Sequence, residues 1–388
     1  MLLNRGDRVK KLLFVLPSLV GGGAERVAVD LINILSKDCY KNKFEIHLFT
    51  IRNGVLDHQL NTKVKHVNLI SDKITRYNFL SKVVVTVVMT LLQKLSPRTV
   101  NIILKKILKE EYDVEIAFLE GLPIKLISKS SSKKIGWIHT DLNSNNHGKV
   151  FFKNKALEST VYLNMDDLVF VSETSQEGYM KHSEQDKPIH KMHVIKNILN
   201  IERIEQLASD KIEFEFNYIC SVGRLLEVKG FDRLIEAYYQ SKISDKLVDI
   251  KLVIIGSGPL EKELKDLVNK LGITQDVIFI PFNENPYKYI KNSKFFVSSS
   301  RVEGYPLVVA EALALEVPVV STETGAVDVI GNGEFGLVVE NSLEGLIIGL
   351  DKINNELELY RDKAILGGRK IRENNNKTVG TIIDLIEQ

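Results

Sequence analysis

Tyr218-Ile219-Cys220-Ser221-Val222-Gly223-Arg224-Leu225-Leu226-Glu227-Val228-Lys229-Gly230-Phe231-Asp232-Arg233-Leu234-Ile235 reads as a buried strand, a turn at glycine and the first turn of a helix. The strand is a short, largely apolar run, as a strand covered on both faces must be. Gly223 lets the backbone turn sharply, and the helical pattern starts near Gly230 or Phe231. The same unit recurs in both directions. Further strand candidates are Lys11 to Leu16, Phe44 to Thr50, Lys65 to Asn68, Val114 to Phe118, Lys134 to Ile138, Leu168 to Val171 and His193 to Ile195 before it. After it come Ile250 to Ile255, Val277 to Ile280, Phe295 to Val297, Pro318 to Val320 and Leu337 to Val339. Strands alternating with helical patterns mean parallel sheets with crossover helices, an α/β protein.

The chain has 388 residues, enough for two domains. Between Ile195 and Phe216 the pattern turns polar and then highly charged, which places a junction near residue 198. The expected parts are residues 1–197, residues 198–370, and a C-terminal helix over 371–388 that packs back toward the first domain. No short repeat suggests a solenoid or propeller. Apolar residues make up 44% and charged residues 26%, which excludes a disordered or collagenous chain. With 52 Lys and Arg against 50 Asp and Glu, the net charge of +2 gives no case for nucleic-acid binding by the whole molecule. Cys39 and Cys220 stand without Cys or His at metal spacing, so a reducing cytoplasm is expected and neither a disulfide framework nor a zinc site. Lys10-Lys11 before Leu12 to Leu16 imitates a signal peptide, but Pro17 interrupts the apolar run, and a first strand is the better reading.

Arg224 and Lys229 lie after a strand end and before a helix, where a guanidinium fork and an ammonium converge on phosphate oxygens. Alone, such a pair is more often two solvated surface cations. A second constellation is Arg301-Val302-Glu303-Gly304-Tyr305-Pro306-Leu307-Val308-Val309-Ala310-Glu311-Ala312. Pro306 reads as the first residue of a helix whose exposed amides at Leu307 and Val308 suit an anion. Glu303 and Glu311 flank that helix start. They either accept hydrogen bonds from sugar hydroxyls or merely favour the helix dipole.

The cation pair, followed some 75 residues later by Glu, seven residues and Glu, resembles the retaining family-four glycosyltransferases of GT-B fold, bacterial cell-surface polysaccharide type. The resemblance runs from Pro17-Ser18-Leu19-Val20-Gly21-Gly22-Gly23-Ala24-Glu25-Arg26-Val27 to Glu334-Phe335-Gly336-Leu337-Val338-Val339-Glu340-Asn341. It implies two Rossmann-like doubly wound domains facing each other across a cleft, the second holding a nucleotide sugar and the first an acceptor. It implies that Arg224 and Lys229 hold the diphosphate, that Glu311 binds the ribose, and that Glu303 contacts the donor sugar. Gly22 and Gly23 would lie beside the donor phosphates, and Gly256 and Gly258, in the turn Ile255-Gly256-Ser257-Gly258-Pro259-Leu260, near the nucleotide. His139, at the end of the strand Lys134 to Ile138, is more often structural as a lone histidine. Its place at the carboxyl edge of the sheet predicts a protruding ring, and the resemblance makes it a contact to the donor sugar. Asp141 and Asn143 to Lys149 would form a cleft loop. The family's Asn-after-Pro linker appears as Ile195-Lys196-Asn197, a departure that bears on hinge geometry.

The implied reaction is retaining transfer of a hexosyl unit from a nucleotide sugar, expected to be a UDP-sugar, to a glycan or polyprenyl-linked acceptor. There is no Asp-x-Asp motif, so no metal and no other cofactor is expected, and cations with helix amides must stabilise the leaving diphosphate. A nucleotide-sugar epimerase of the same fold and a non-catalytic nucleotide-sugar-binding subunit are the alternatives.

Lys73 to Lys109 carries eight cations, Lys73, Arg76, Lys82, Lys94, Arg98, Lys105, Lys106 and Lys109, and no carboxylate. Apolar residues from Phe79 to Leu95 repeat at helical spacing, are broken by Ser96-Pro97, and resume at Ile102. Such a basic amphipathic pair suits an anionic membrane surface, the inner leaflet of the plasma membrane for a cytoplasmic enzyme; a core-facing helix with a solvated basic back is the alternative. No apolar run has the length to span a bilayer.

Overall fold

The structure is a computed structural model; it describes residues 8–70, 78–143, 146–183 and 191–388, without the side chains of 78–82 and 147. The chain divides into two compact units, one running up to Ile198 and taking in Thr378–Gln388, the other spanning Leu199–Lys377.

The first unit is built on a parallel sheet of seven strands: β1 (Lys10–Leu16), β2 (Phe44–Thr50), β3 (Lys65–Asn68), β4 (Val114–Ala117), β5 (Lys133–Ile138), β6 (Asp167–Phe170) and β7 (Met192–Val194). Their order is β3-β2-β1-β4-β5-β6-β7. Leu12 to Leu16 of β1 are almost wholly buried because helices cover both faces of the central strands. The second unit has a parallel sheet of six: β8 (Asn217–Val222), β9 (Ile250–Ile255), β10 (Val277–Ile280), β11 (Phe296–Ser298), β12 (Val319–Thr322) and β13 (Leu337–Val339), in the order β10-β9-β8-β11-β12-β13. Its register aligns Asn217 with Ile250 and Val222 with Ile255, so the ends of β8 and β9 are level. The sheets are Rossmann-like, and the α/β expectation holds in both units.

Strand order reverses between β1 and β4 in the first sheet and between β8 and β11 in the second. At such a switch point the chains leaving the two central strands diverge to opposite faces, and a crevice opens beyond their carboxyl ends. Gly223 leaves β8 and Ser299 leaves β11, so the two motifs of the second half emerge side by side. In the first sheet, Gly21 to Gly23 follow β1, Glu120 follows β4 and His139 follows β5.

The C-terminal helix differs from expectation. It runs Leu357–Glu387 without a break, starting well before 371. Gly367 and Gly368 lie inside it. In the fold Gly367 lies against Phe335 and Leu313, where a side chain would not fit, so tertiary packing overrides glycine's low helix propensity.

The basic segment forms two helices, Asn78–Lys94 and Pro97–Leu108. Ser96 caps the second, its hydroxyl accepting from the Thr99 amide at 3.1 Å, and Pro97 takes the first helical position. Val84, Val85, Val88 and Met89 pack on the core and Leu92 is buried, while Val83, Val87 and Leu91 stand exposed on another face. Lys94, Arg98, Ile102, Lys105 and Lys106 are exposed as well. Lys73 and Arg76 lie outside the described residues, as does the side chain of Lys82. Among the described residues no helix is long and apolar enough to cross a membrane.

Candidate active site

In the second unit the chain leaves β8 at Val222 and is tied at once to the neighbouring turn. The Gly223 amide donates to Ile255 O at 3.0 Å, the Leu225 amide to Ser257 O at 3.1 Å, and the Leu260 amide to Leu225 O at 3.2 Å. A Cβ on Gly256 would fall on the Gly223 carbonyl, and one on Gly258 on the Leu225 backbone. Both glycines therefore act by letting two loops interlock, which sets where Arg224 emerges. Arg224 is exposed, and its guanidinium has no hydrogen-bond or ion-pair partner among the described residues.

Lys229 ends a short 3₁₀ turn, Glu227–Lys229, and the helix Phe231–Ile243 follows. Its ammonium pairs with Glu303 Oε1, which also accepts from Ser300 Oγ at 2.9 Å. Two residues singled out separately in sequence are thus in direct contact. The loop carrying Glu303 is held from several sides. Ser299 Oγ donates to Lys229 O at 2.9 Å, and the Arg301 amide to Val228 O at 2.7 Å. The Arg301 guanidinium grips Asp232 with both Nη atoms, at 2.8 and 2.6 Å, and reaches Glu227 O at 2.7 Å. That contact holds the Asp232 carboxyl below its usual range, with burial pulling the other way.

Arg233 was not singled out in sequence, yet it is the hub beneath the site. It is 9% exposed. Its Nε and Nη2 donate to Ser299 O at 3.0 and 2.8 Å, and Nη1 and Nη2 to Asn341 O and Oδ1 at 3.2 and 2.5 Å. Asn341 in turn donates to Arg301 O at 2.9 Å and Glu323 O at 3.2 Å. The planar guanidinium places its donors in a fixed fork, which ties Ser299 and Asn341 together in one geometry.

The helix Leu307–Ala314 starts one residue later than expected, because Pro306 takes an extended conformation (ψ 99°) and becomes the N-cap. The amides of Leu307 and Val308 make no hydrogen bond among the described residues, and donors left open at a helix start suit an anion. Glu311, 6% exposed, accepts from Tyr287 Oη at 3.1 Å.

In the first unit Gly22 is the N-cap of the helix Gly23–Leu35. His139 departs from expectation, for its ring does not protrude. It is half-buried with its centroid 5.3 Å from that of Phe118, and its Nε2 is shut off from solvent without a hydrogen-bond partner among the described residues. Burial pushes its pKa down to about 4, against the charge of Glu120 and a hydrogen bond to the Phe118 carbonyl. With Nε2 unpartnered, that bond comes from Nδ1–H, which leaves Nε2 a lone-pair acceptor at neutral pH. Glu120, also absent from the sequence reading, accepts from the His139 amide at 3.0 Å and from Thr140 Oγ1 at 2.8 Å. In the loop that follows, Asp141 accepts from the Asn143 amide at 2.8 Å, while residues 144–145 lie outside the description.

Among the described residues one group has metal-like donor spacing, Glu45, His47 and Glu110. It sits at the amino ends of the strands, at the opposite edge of the sheet from His139. Lys11 approaches Glu110 at 2.6 Å and Glu45 at 3.6 Å, and Lys65 also pairs with Glu110. The two ammoniums hold the Glu110 pKa at about 2. Its carboxylates are already neutralised, which makes this a salt-bridge knot.

Residues 202–363 match the family of glycosyl transferases group 1. Along its length the chain is 28% identical, over 388 residues, to the N-acetylgalactosamine-N,N'-diacetylbacillosaminyl-diphospho-undecaprenol 4-alpha-N-acetylgalactosaminyltransferase of Campylobacter jejuni, covering 98% of this chain and 97% of that protein. It is 33% identical over 180 residues to the capsular polysaccharide biosynthesis glycosyltransferase CapM of Staphylococcus aureus, covering 44% of this chain and 46% of the relative. The structure of Anabaena HepE with UDP and glucose superposes with a TM-score of 0.73 at 16% identity, covering 98% of this chain and all of the other. The match spans the loops that carry Arg224, Lys229, Glu303 and Glu311, so residues 202–363 form a glycosyl transferases group 1 domain, and the chain as a whole has the GT-B fold of the glycosyltransferases it superposes on.

Proposed function

We infer that this glycosyltransferase moves a hexosyl unit from a UDP-sugar, with retention of configuration, to a lipid-linked or glycan acceptor in bacterial cell-surface polysaccharide synthesis. The observation that carries the reading is the charge arrangement at the β8/β11 switch point. A guanidinium without a partner among the described residues, the Lys229 ammonium that Glu303 holds, and two open helix amides emerge at one edge, where they suit the charge of a leaving diphosphate. Arg224 and Lys229 take the diphosphate, Leu307 and Val308 amides its oxygens, Glu311 the ribose and Glu303 the donor sugar. For a retaining enzyme of this type the acceptor attacks the same face from which the nucleotide leaves, the C–O bond to the sugar forms as the C–O bond to phosphate breaks, and the leaving phosphate oxygen takes the acceptor proton. No metal and no cofactor enters this scheme. The relatives support the acceptor class: the Campylobacter enzyme is named for a diphospho-undecaprenol substrate and the Staphylococcus protein for capsular polysaccharide.

An acceptor of that kind lies at a membrane, and the helices Asn78–Lys94 and Pro97–Leu108 offer a surface for it. Exposed Val83, Val87, Leu91 and Ile102 accompany exposed Lys94, Arg98, Lys105 and Lys106, a composition that suits peripheral contact with the anionic inner leaflet. The test of the transfer reaction is a screen of UDP-sugars with the purified protein, following donor hydrolysis, transfer to a polyprenyl-diphosphate glycan, and the anomeric configuration of the product by NMR. An inverted product refutes retention. Epimerised donor, or binding without turnover, replaces the reading with an epimerase or a non-catalytic subunit.

A further inference from the structure

The short helix Leu122–Ile127 carries one charged residue, Lys125, and buries it to 1% exposure. Its ammonium donates to Leu92 O and Gln93 O, both at 3.0 Å, and to Phe151 O at 2.8 Å, and among the described residues no carboxylate pairs with it. All three N–H donors are thus used on backbone carbonyls. Two of these belong to the last turn of the helix Asn78–Lys94, whose negative dipole end favours a cation, and the third closes the 3₁₀ turn His147–Phe151. Burying an ammonium is costly, and Leu or Met would fill the same volume without that cost. What the lysine adds is a fixed link between two elements that are distant in sequence.

The other end of the same segment reaches the strand ends that carry the site. The Gly121 amide donates to Tyr162 Oη at 3.2 Å, and a Cβ on Gly121 would come within 2.8 Å of Gly148 Cα, so the segment and the 147–151 turn touch backbone to backbone. Glu120 then holds the His139 amide and Thr140. Residues 120–127 therefore contact, in order, the His139 strand end, the 147–151 turn and the C-terminus of the helix that exposes Val83, Val87 and Leu91.

We propose that Lys125 is a positioning residue that transmits contact of the helix Asn78–Lys94 with an anionic lipid surface to the turn His147–Phe151 and, through Glu120, to His139, so that the acceptor-side loop is ordered where lipid-linked substrate is at hand. The inference rests on the membrane-surface reading above. Displacement of the last helical turn changes the two carbonyls on Lys125, and the third carbonyl must follow because the ammonium has no other acceptor among the described residues.

Amide hydrogen exchange on the full chain tests it, with vesicles of mixed phosphatidylglycerol and phosphatidylethanolamine against vesicles of phosphatidylcholine. In the wild type, anionic vesicles slow exchange in residues 83–95 and also in 147–152, the latter by about two- to thirtyfold for a coupling of ordinary size. Emission of Trp137, the sole tryptophan, stacked on Phe118 at 4.8 Å, shifts in parallel. In Lys125→Met, residues 83–95 are still protected but the response of 147–152 and of Trp137 is lost, and Lys125→Arg, which keeps the charge and donors, restores part of it. If the wild type binds and 147–152 does not respond, or Lys125→Met responds like wild type, the relay is refuted and the surface reading stands. If the wild type binds no anionic vesicles, both fall. Should Lys125→Met fail to fold, the wild-type and Lys125→Arg arms still decide.

Discussion

Replacing Glu303 by Gln should tighten the binding of bare UDP while reducing sugar transfer. In the unliganded protein Glu303 Oε1 already accepts from Lys229, the ammonium assigned to the diphosphate. A phosphate must compete with that carboxylate. The two side chains are 25% and 16% exposed, a partly buried pair for which an interaction of about 1 kcal/mol is reasonable. Glu303→Gln keeps the shape and the contact to Ser300 but removes the competing charge, so UDP should bind about fivefold more tightly. Lys229→Met removes the ammonium itself and should weaken UDP by about ten- to a hundredfold, since a hydrogen bond to a charged group is worth roughly 1.5–3 kcal/mol. The double variant should bind like Lys229→Met, with no gain from the Gln. Titration calorimetry with UDP on the wild type and the three variants closes the cycle. Weakening of UDP by Glu303→Gln to the extent seen with Lys229→Met would refute the argument, because Glu303 would then be helping the phosphate site instead of competing with it.

Arg233→Met should cost about 3–5 kcal/mol of stability in denaturant melts, since it leaves the Ser299 and Asn341 acceptors buried without their cation, and UDP affinity should fall with it as the 299–303 loop loosens. His139 has a folded pKa of about 4 against an ordinary 6.5, so the unfolded chain binds the extra proton in that window; stability should fall as pH drops from about 6.5 to 4, by up to roughly 3 kcal/mol, and His139→Gln should flatten the slope there. Transfer should persist in EDTA, because Arg224, Lys229 and helix amides carry the charge compensation; activity that disappears on chelation and returns in proportion to added magnesium or manganese overturns that assignment.

All seven strands of the first sheet and all six of the second were readable in the sequence to within about two residues at their ends, because strands of a covered parallel sheet are short apolar runs flanked by turn residues. The places of Arg224, Lys229 and Glu303 were legible for a related reason, since they lie in loops just beyond such runs, and Glu311 follows on the next helix. The supports beneath them were not legible. Arg233 looks like any helix cation in Phe231-Asp232-Arg233-Leu234, and its partners lie 66 and 108 positions away. Asn341 and Glu120 likewise act only through residues that the fold brings to them. Lys125 left one faint signal, a lone charge within Leu122-Pro123-Ile124-Lys125-Leu126-Ile127, which is apolar otherwise. The early start of the last helix was not legible, since glycine propensity at Gly367-Gly368 is local while the packing against Phe335 is not.

The interlock of the 223–225 and 256–260 turns has an evolutionary consequence. With no space for a side chain at Gly256 or Gly258, that wall of the site can change neither by point substitution nor one loop at a time. Variation in donor preference must instead be written on positions that the lock leaves open, such as exposed Val302 and Gly304 beside Glu303. A saturation library should then split into barren columns at 256 and 258 and permissive ones at 302 and 304, so that new sugar specificities in this lineage arise from the rim while the phosphate cradle is inherited unchanged.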